Sequence, residues 1–359
     1  MCDSVVAVGS ETASGTTLFA KNSDRKGGEC QPFVQFAEAS HPAAAKVRCT
    51  HVEIPQVAET YRIMGHSPWW VWGFEHGVNE HAVAIGNHTI FTNEAIEEKP
   101  GLIGMDLVRL GLERGRDARE ALEVIATLIE THGQGGAALA PGAGGYHNSF
   151  LLADPAEAWI LETSNRRWVA RRAQLGAVSN HVSLGADWQI SSRDLEPFAR
   201  TRGWWRGAGR VDVAAAYRDR KIPGFVSEGR NRRAHDLLQE ARGRHDVATF
   251  QELLRDHLDG GTVWHDDAST DEERYFTLCA HSDPISWTTA SLIAPLPEDR
   301  TSPWPIWISF GTPCTGVFLP VYLEGVLPPA LARGGEETDS DSLWWILKHL
   351  QDAASADWS

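Results

Sequence analysis

The chain has 359 residues, with 33 Lys and Arg against 48 Asp and Glu, a formal charge of −15 with His neutral. That balance excludes a general nucleic-acid binder or a membrane-surface protein, because both need a basic footprint. With 42% hydrophobic and 23% charged residues the composition is globular, with enough apolar material for a sizeable core.

The first residues alternate around Val5, Val6 and Val8. The turn-rich stretch from Gly9 to Gly15 follows, and Thr17–Ala20 resumes the alternation. This predicts a hairpin that ends in the polar string Lys21-Asn22-Ser23-Asp24-Arg25. Further strands are expected at Tyr61–Gly65, Ala82–Gly86, Ser149–Ala153, Ala158–Glu162 and Trp168–Arg172. Tight polar turns join the last three, which predicts an antiparallel meander instead of βαβ crossovers. Helical spacing is clearest over Asp117–His132, with Asp117 and Glu120 as a capping pair and Gly133 as the stop. Its expected partner is Gly104–Arg114. A second helical region runs from about Arg232 to Leu258 and breaks near Gly243. Strands return at Ala290–Ala294 and Ile306–Phe310, so the fold class is α+β with antiparallel sheets. Residues 2–331 read as one catalytic domain, and 332–359 as an acidic linker carrying one docked helix over Leu343–Leu350.

Several motifs have plainer readings. The runs Gly133-Gln134-Gly135-Gly136 and Gly142-Ala143-Gly144-Gly145 lack a following Lys-Ser/Thr, so they are loops and not phosphate cradles. His76 and His81 cannot share one helix face as a metal-ligand pair requires. The clusters Trp69-Trp70-Val71-Trp72, Trp204-Trp205 and Trp344-Trp345 are expected in packing, in the core or at subunit contacts. The five cysteines, Cys2, Cys30, Cys49, Cys279 and Cys314, are an odd number with no CxxC pair and no metal-finger spacing. A disulfide scaffold and a metal site are therefore not expected, and a reducing compartment fits. There is no basic n-region with a long apolar run, and no stretch approaches the ~20 apolar residues that span a bilayer. The expectation is a cytoplasmic protein.

Cys2 directly follows the initiator methionine. Once Met1 is trimmed, a thiol with a reference pKa of ~8.5 and an α-amine of ~8 sit on one residue, a nucleophile with its own base. Val5, Val6 and Val8 hold this terminus in a strand, and the paired strand delivers Asp24 and Arg25 beside it. A carboxylate there can bind the amine, and an arginine can hold a thiolate or a substrate carboxylate.

The strings Met1-Cys2-Asp3, Phe19–Arg25 and Gly73–Asn87 resemble the secernin and dipeptidase A family of N-terminal-nucleophile hydrolases, as do Gly104–Arg114, Tyr146–Asp154, Ala158–Thr163, Cys279-Ala280-His281, Thr288–Ser291 and Gly311–Cys314. The wording is closer to secernins, with a more distant likeness to penicillin V acylases and bile salt hydrolases. The resemblance implies a four-layer αββα sandwich and Cys2 as nucleophile, with Asp24 near the amine. It implies the Asn87 backbone N–H and the Asn180 side chain as oxyanion donors, and Arg230 as a late active-site arginine, with Arg233 as the alternative. Lys21 stands where the acylases have arginine, and Lys21 and Arg25 are the expected substrate-binding residues. No cofactor is implied. The expected activity is cleavage of a small peptide by a homo-oligomeric amidohydrolase. The alternatives are hydrolysis of a non-peptide amide such as an N-acyl amino acid, and a non-enzymatic interaction protein on the same scaffold.

Overall fold

The computed structural model describes residues 1–97, 99–258, 276–282 and 285–356. The hairpin expected at the N-terminus forms as strands Cys2–Ala7 and Thr17–Arg25, which pair antiparallel with Cys2 opposite Ser23 and Ser4 opposite Lys21. It sits inside a sheet whose order is Leu175–Val178, Cys2–Ala7, Thr17–Arg25, Ser286–Leu296, Ile306–Phe310 and Leu319–Val321. The short strand His281–Ser282 pairs off this path with Ser286–Leu296. The second sheet runs Ile190–Ser191, Arg167–Arg172, Ala158–Ser164, His147–Ala153, Ala84–Ile90, His76–Asn79, Ile63–His66 and Phe33–Phe36. Every pairing in both sheets is antiparallel.

Strand alternation explains the layering. Val6, Phe19, Leu292 and Ala294 of the first sheet share one core with Ala84, Leu151, Ala153 and Ile160 of the second. Their neighbours Val5, Ala7, Leu18, Ala20 and Ile293 point the other way, onto Ala234, Leu238, Phe250 and Leu254 of helices Glu228–Glu240 and Val247–Leu254. On the far side, Ile85, Phe150, Leu152 and Leu161 meet helices Gly104–Arg114 and Ala118–His132. The result is the four-layer αββα sandwich.

Local signals account for the helix ends. Asp117 accepts the Glu120 N–H at 2.7 Å, and Gly133 closes Ala118–His132 at φ 72°. The helical region expected over 232–258 begins earlier, at Glu228, and splits around Gly243 (φ 72°) into its two helices. Asp246 caps the second through the Thr249 N–H at 2.8 Å. Two strand expectations shift toward the C-terminus, from Tyr61–Gly65 to Ile63–His66 and from Ala82–Gly86 to Ala84–Ile90. Ala82 lies in a turn at φ 58°, which keeps it out of the strand.

The C-terminal helix Leu343–Ala356 packs on the first sheet. Trp344 is fully buried and donates its indole N–H to the Thr289 carbonyl at 2.9 Å, while Gln351 binds the backbone of Phe310 and Thr312. Residues 357–359 of the expected appendage lie outside the described residues. The other tryptophan clusters also pack, with Trp69, Trp204 and Trp205 against the central core and Trp72 against the helix-facing one. No helix among the described residues is long and apolar enough to cross a membrane.

Candidate active site

The same alternation gives the two functional groups of Cys2 partners from different faces of the sheet. Cys2, Ser4 and Val6 look toward the second sheet, as the 2.7 Å contact between Ser4 Oγ and His88 Nε2 shows. Lys21 is opposite Ser4 and looks the same way. Asp3, Asn22 and Asp24 look toward the helical layer. Asn22 Nδ2 donates to the carbonyls of Leu254 and Leu278 at 2.9 and 2.8 Å, and Asp3 meets Arg230 of helix Glu228–Glu240. The thiol is thus served from between the sheets, and the backbone nitrogen of Cys2 from the helix side.

Glu75 is the hub on the thiol side. Its Oε2 lies 3.9 Å from Cys2 Sγ and accepts from Lys21 Nζ at 3.2 Å, and its Oε1 accepts from Arg25 at 3.1 Å. All four side chains are buried. Burial raises the carboxyl pKa of Glu75, but Lys21 and Arg25 outweigh it and hold the group below its usual value. Burial pushes the Cys2 thiol up, with Lys21 opposing and Glu75 reinforcing the rise. Gly86 makes room for this arrangement, since a Cβ there would collide with the Lys21 side chain.

On the other side, Cys2 N donates to Asn180 Oδ1 at 2.8 Å, and Arg230 donates to the same oxygen at 2.9 Å. Arg230 also pairs with Asp3 and stands 4.0 Å from Asp24 Oδ2. The Asp24 carboxylate accepts from the Thr288 hydroxyl at 2.7 Å through Oδ1, while its buried Oδ2 accepts no hydrogen bond from the described residues. Burial raises the Asp24 pKa to about 6 against the lowering effect of the nearby terminal amine. Met1 N donates to the Asp24 carbonyl at 2.9 Å, and Asp24 N to the Met1 carbonyl at 3.0 Å, so the chain start is pinned beside this carboxylate.

A cavity of about 290 Å³ opens over these groups. Its lining includes Met1, Cys2, Asp24, Arg25, Glu75, Asn87, Tyr146 and Ser286, with the exposed Lys26 among them.

Of the residues expected from sequence, the structure gathers Cys2, Asp24, Asn87, Asn180, Arg230, Arg25 and Lys21 into one neighbourhood, with qualifications. Arg230 reaches Asp3, Asp24 and Asn180, whereas Arg233 is turned to Asp256 at 2.8 Å. Neither cation expected to clamp substrate offers a donor for that task. Lys21 is wholly enclosed, bonded to Glu75, and absent from the cavity lining. Arg25 lines the cavity, but its five N–H groups go to Glu29, twice, and to Glu75 and the carbonyls of Ala138 and Leu139. The Asn87 N–H donates to the Glu75 carbonyl over a long 3.3 Å, and Asn180 Nδ2 donates to the Thr89 carbonyl at 2.9 Å. Sequence reasoning missed Glu75, Asp3, Thr288 and Lys26. Glu75 lies inside the Gly73–Asn87 string, but nothing in that string says that the other sheet brings a lysine and an arginine to it.

Residues 1–222, which carry most of this site, match the description Peptidase family C69. The chain belongs to peptidase family C69. A dipeptidase of Bifidobacterium longum (strain NCC 2705) is 27% identical to this C69 chain over 223 residues. That match covers 55% of the chain and 39% of the bacterial protein, so the chain spans well under half of its relative. Among solved structures, a conjugated bile acid hydrolase from Clostridium perfringens matches with a TM-score of 0.47 at 13% identity, covering 86% of this chain and 89% of that one. A penicillin V acylase from Agrobacterium tumefaciens matches with a TM-score of 0.48 at 13% identity, covering 86% and 83%.

Proposed function

We propose that this C69 member is a cysteine amidohydrolase that cleaves dipeptides through a thioester on Cys2, after processing that leaves Cys2 as the first residue. One observation carries the reading. The Cys2 thiol borders a cavity, its backbone nitrogen is already held by Asn180 Oδ1, and the adjacent buried Asp24 Oδ2 has no hydrogen-bond donor among the described residues. An ammonium in place of the present amide keeps the first acceptor and supplies the second.

In the mature chain the neutral amine of Cys2 takes the thiol proton, directly or through water, and the thiolate attacks the amide carbon. The oxyanion displaces the long Asn87 bond to Glu75 and takes a second donor from Asn180 Nδ2, which carries two N–H groups. The ammonium returns the proton to the leaving nitrogen, the C–N bond breaks, and a thioester remains on Sγ. Water, deprotonated by the same amine, then releases the acid and restores the thiol. Lys21 and Arg25 keep Glu75 ionised, and the Lys21 charge favours the thiolate.

The substrate class rests on size, charge and the dipeptidase relative. At about 290 Å³ the cavity is at the small end of the range for ligand pockets. Lys26, exposed in its lining, is the cation placed to meet a substrate carboxylate. A cytoplasmic location is part of this proposal, and the five free cysteines, which suit a reducing compartment, support it.

A panel of dipeptides and N-acyl amino acids, assayed with the wild type, Cys2→Ala and a chain carrying an uncleavable N-terminal tag, tests the proposal. The wild type should prefer dipeptides, and both altered chains should lose at least ~1,000-fold in rate. Preference for N-acyl amino acids would overturn the substrate class. Full activity in the tagged chain would overturn the mechanism.

A further inference from the structure

Far from one another in sequence, His257, Cys279, His281 and Cys314 meet in space. One ligand-type atom from each lies within 4.8 Å of all the others. His257 follows helix Val247–Leu254, Cys279 precedes and His281 begins the short strand His281–Ser282, and Cys314 lies in the loop after strand Ile306–Phe310. Three chain segments therefore converge on one point, which is why the cysteine spacing concealed the group.

The geometry points to a structural zinc(II) site of the Cys2His2 type, and we propose that the folded protein carries one zinc ion bound by these four side chains. His281 Nε2 lies 3.4 Å from Cys279 Sγ and 3.3 Å from Cys314 Sγ. Around a tetrahedral zinc, with Zn–S ~2.3 Å and Zn–N ~2.0 Å, the sulfur–nitrogen edge is roughly 3.5 Å. A neutral ring nitrogen has one lone pair and can accept from only one of the two thiols beside it. The Nε2 of His257 is buried with no hydrogen-bond partner among the described residues. A cation shared by four donors resolves both problems, and two thiolates with two imidazoles select a borderline-soft ion such as zinc over magnesium or calcium.

Other bonds already hold the three segments in place. The Cys279 N–H donates to the Asp256 carbonyl at 3.1 Å, and Arg255 Nε donates to the Pro313 carbonyl at 2.8 Å. Four protein ligands leave no open position, so the ion is structural and takes no part in hydrolysis. Its reach toward the active site runs through Ala280. The Ala280 N–H donates to Thr288 Oγ1 at 2.9 Å, and that hydroxyl donates to Asp24 at 2.7 Å. Zinc fixes the segment that orients Thr288, and Thr288 orients the carboxylate proposed to hold the amine.

The test is the metal content of the full-length protein after exhaustive dialysis against a chelating resin, for the wild type and for Cys279→Ser/Cys314→Ser. The wild type should retain about one zinc per chain and the double variant less than about a tenth of that. Cobalt(II) exchanged into the wild type should give the intense visible bands of a tetrahedral thiolate site. This readout stands on its own if the double variant fails to fold, and it does not depend on hydrolysis. Three results would overturn the proposal: zinc lost on dialysis, equal zinc in the double variant, or an intact mass two hydrogens low and restored by reductant, which would show a Cys279–Cys314 disulfide.

Discussion

Cys2 and Cys49 are both buried thiols in the same molecule, yet their surroundings differ in kind. Cys49 lies in the apolar layer between the second sheet and its helices, where desolvation pushes its thiol up to about 12; Cys30 in the central core is raised to the same value by the same cause. Cys2 is raised by burial too, but it has Lys21 and Glu75 around it and a cavity above it. Burial alone makes a thiol inert. What distinguishes a nucleophile is a buried charge balance that one extra cation can tip. In the chain that retains Met1, that cation is displaced from Cys2 by one residue.

The comparison can be strained at its strongest point first. Asn180 binds the Cys2 nitrogen, Arg230 and the Thr89 carbonyl, and it has no counterpart role at Cys49. Asn180→Ala should lower kcat by about a hundredfold or more, roughly 3 kcal/mol in the barrier, with little change in KM. A change confined to KM would remove Asn180 from the oxyanion role.

A weaker effect concerns Asp24. Its carboxyl is raised to about 6, so the anion proposed to hold the amine is present only above that pH. Beyond the loss caused by protonation of the amine itself, the rate should fall a further roughly tenfold per pH unit below about pH 6, and Asp24→Asn should remove this lower step of the acid limb. The sign for stability is the reverse of the usual aspartate. The folded state keeps this proton between about pH 4 and 6, where the unfolded chain has released it. Asp24 therefore opposes folding progressively as pH rises through that window. An acid limb that persists unchanged in Asp24→Asn would assign it to another group.

The hairpin, the meander and the capped helix Ala118–His132 were legible because alternation and capping are local. Cys2 and Asp24 were legible for the same reason, as residues on paired strands two and twenty-four places into the chain. The charges that set the behaviour of Cys2 were only half visible. Lys21 and Arg25 stood out, but in isolation they looked like substrate clamps, because their shared partner Glu75 sits just before a strand of the other sheet. The strand Leu175–Val178 was not among the expected elements, since four residues ending in a loop carry little periodic signal. The His257, Cys279, His281 and Cys314 group was unreadable, because its spacing is set by three separate turns of the fold.

The central claim is that Cys2, freed at its amine, is the nucleophilic thiol of the cavity. Intact mass followed by labelling with a thiol-reactive amide or β-lactone probe at neutral pH tests it most directly. The account predicts a mass lacking Met1 and one stoichiometric label that maps to Cys2, with Cys30 and Cys49 untouched. A retained Met1 with equal labelling at Cys2, or a label at Cys30 or Cys49 in its place, would contradict it.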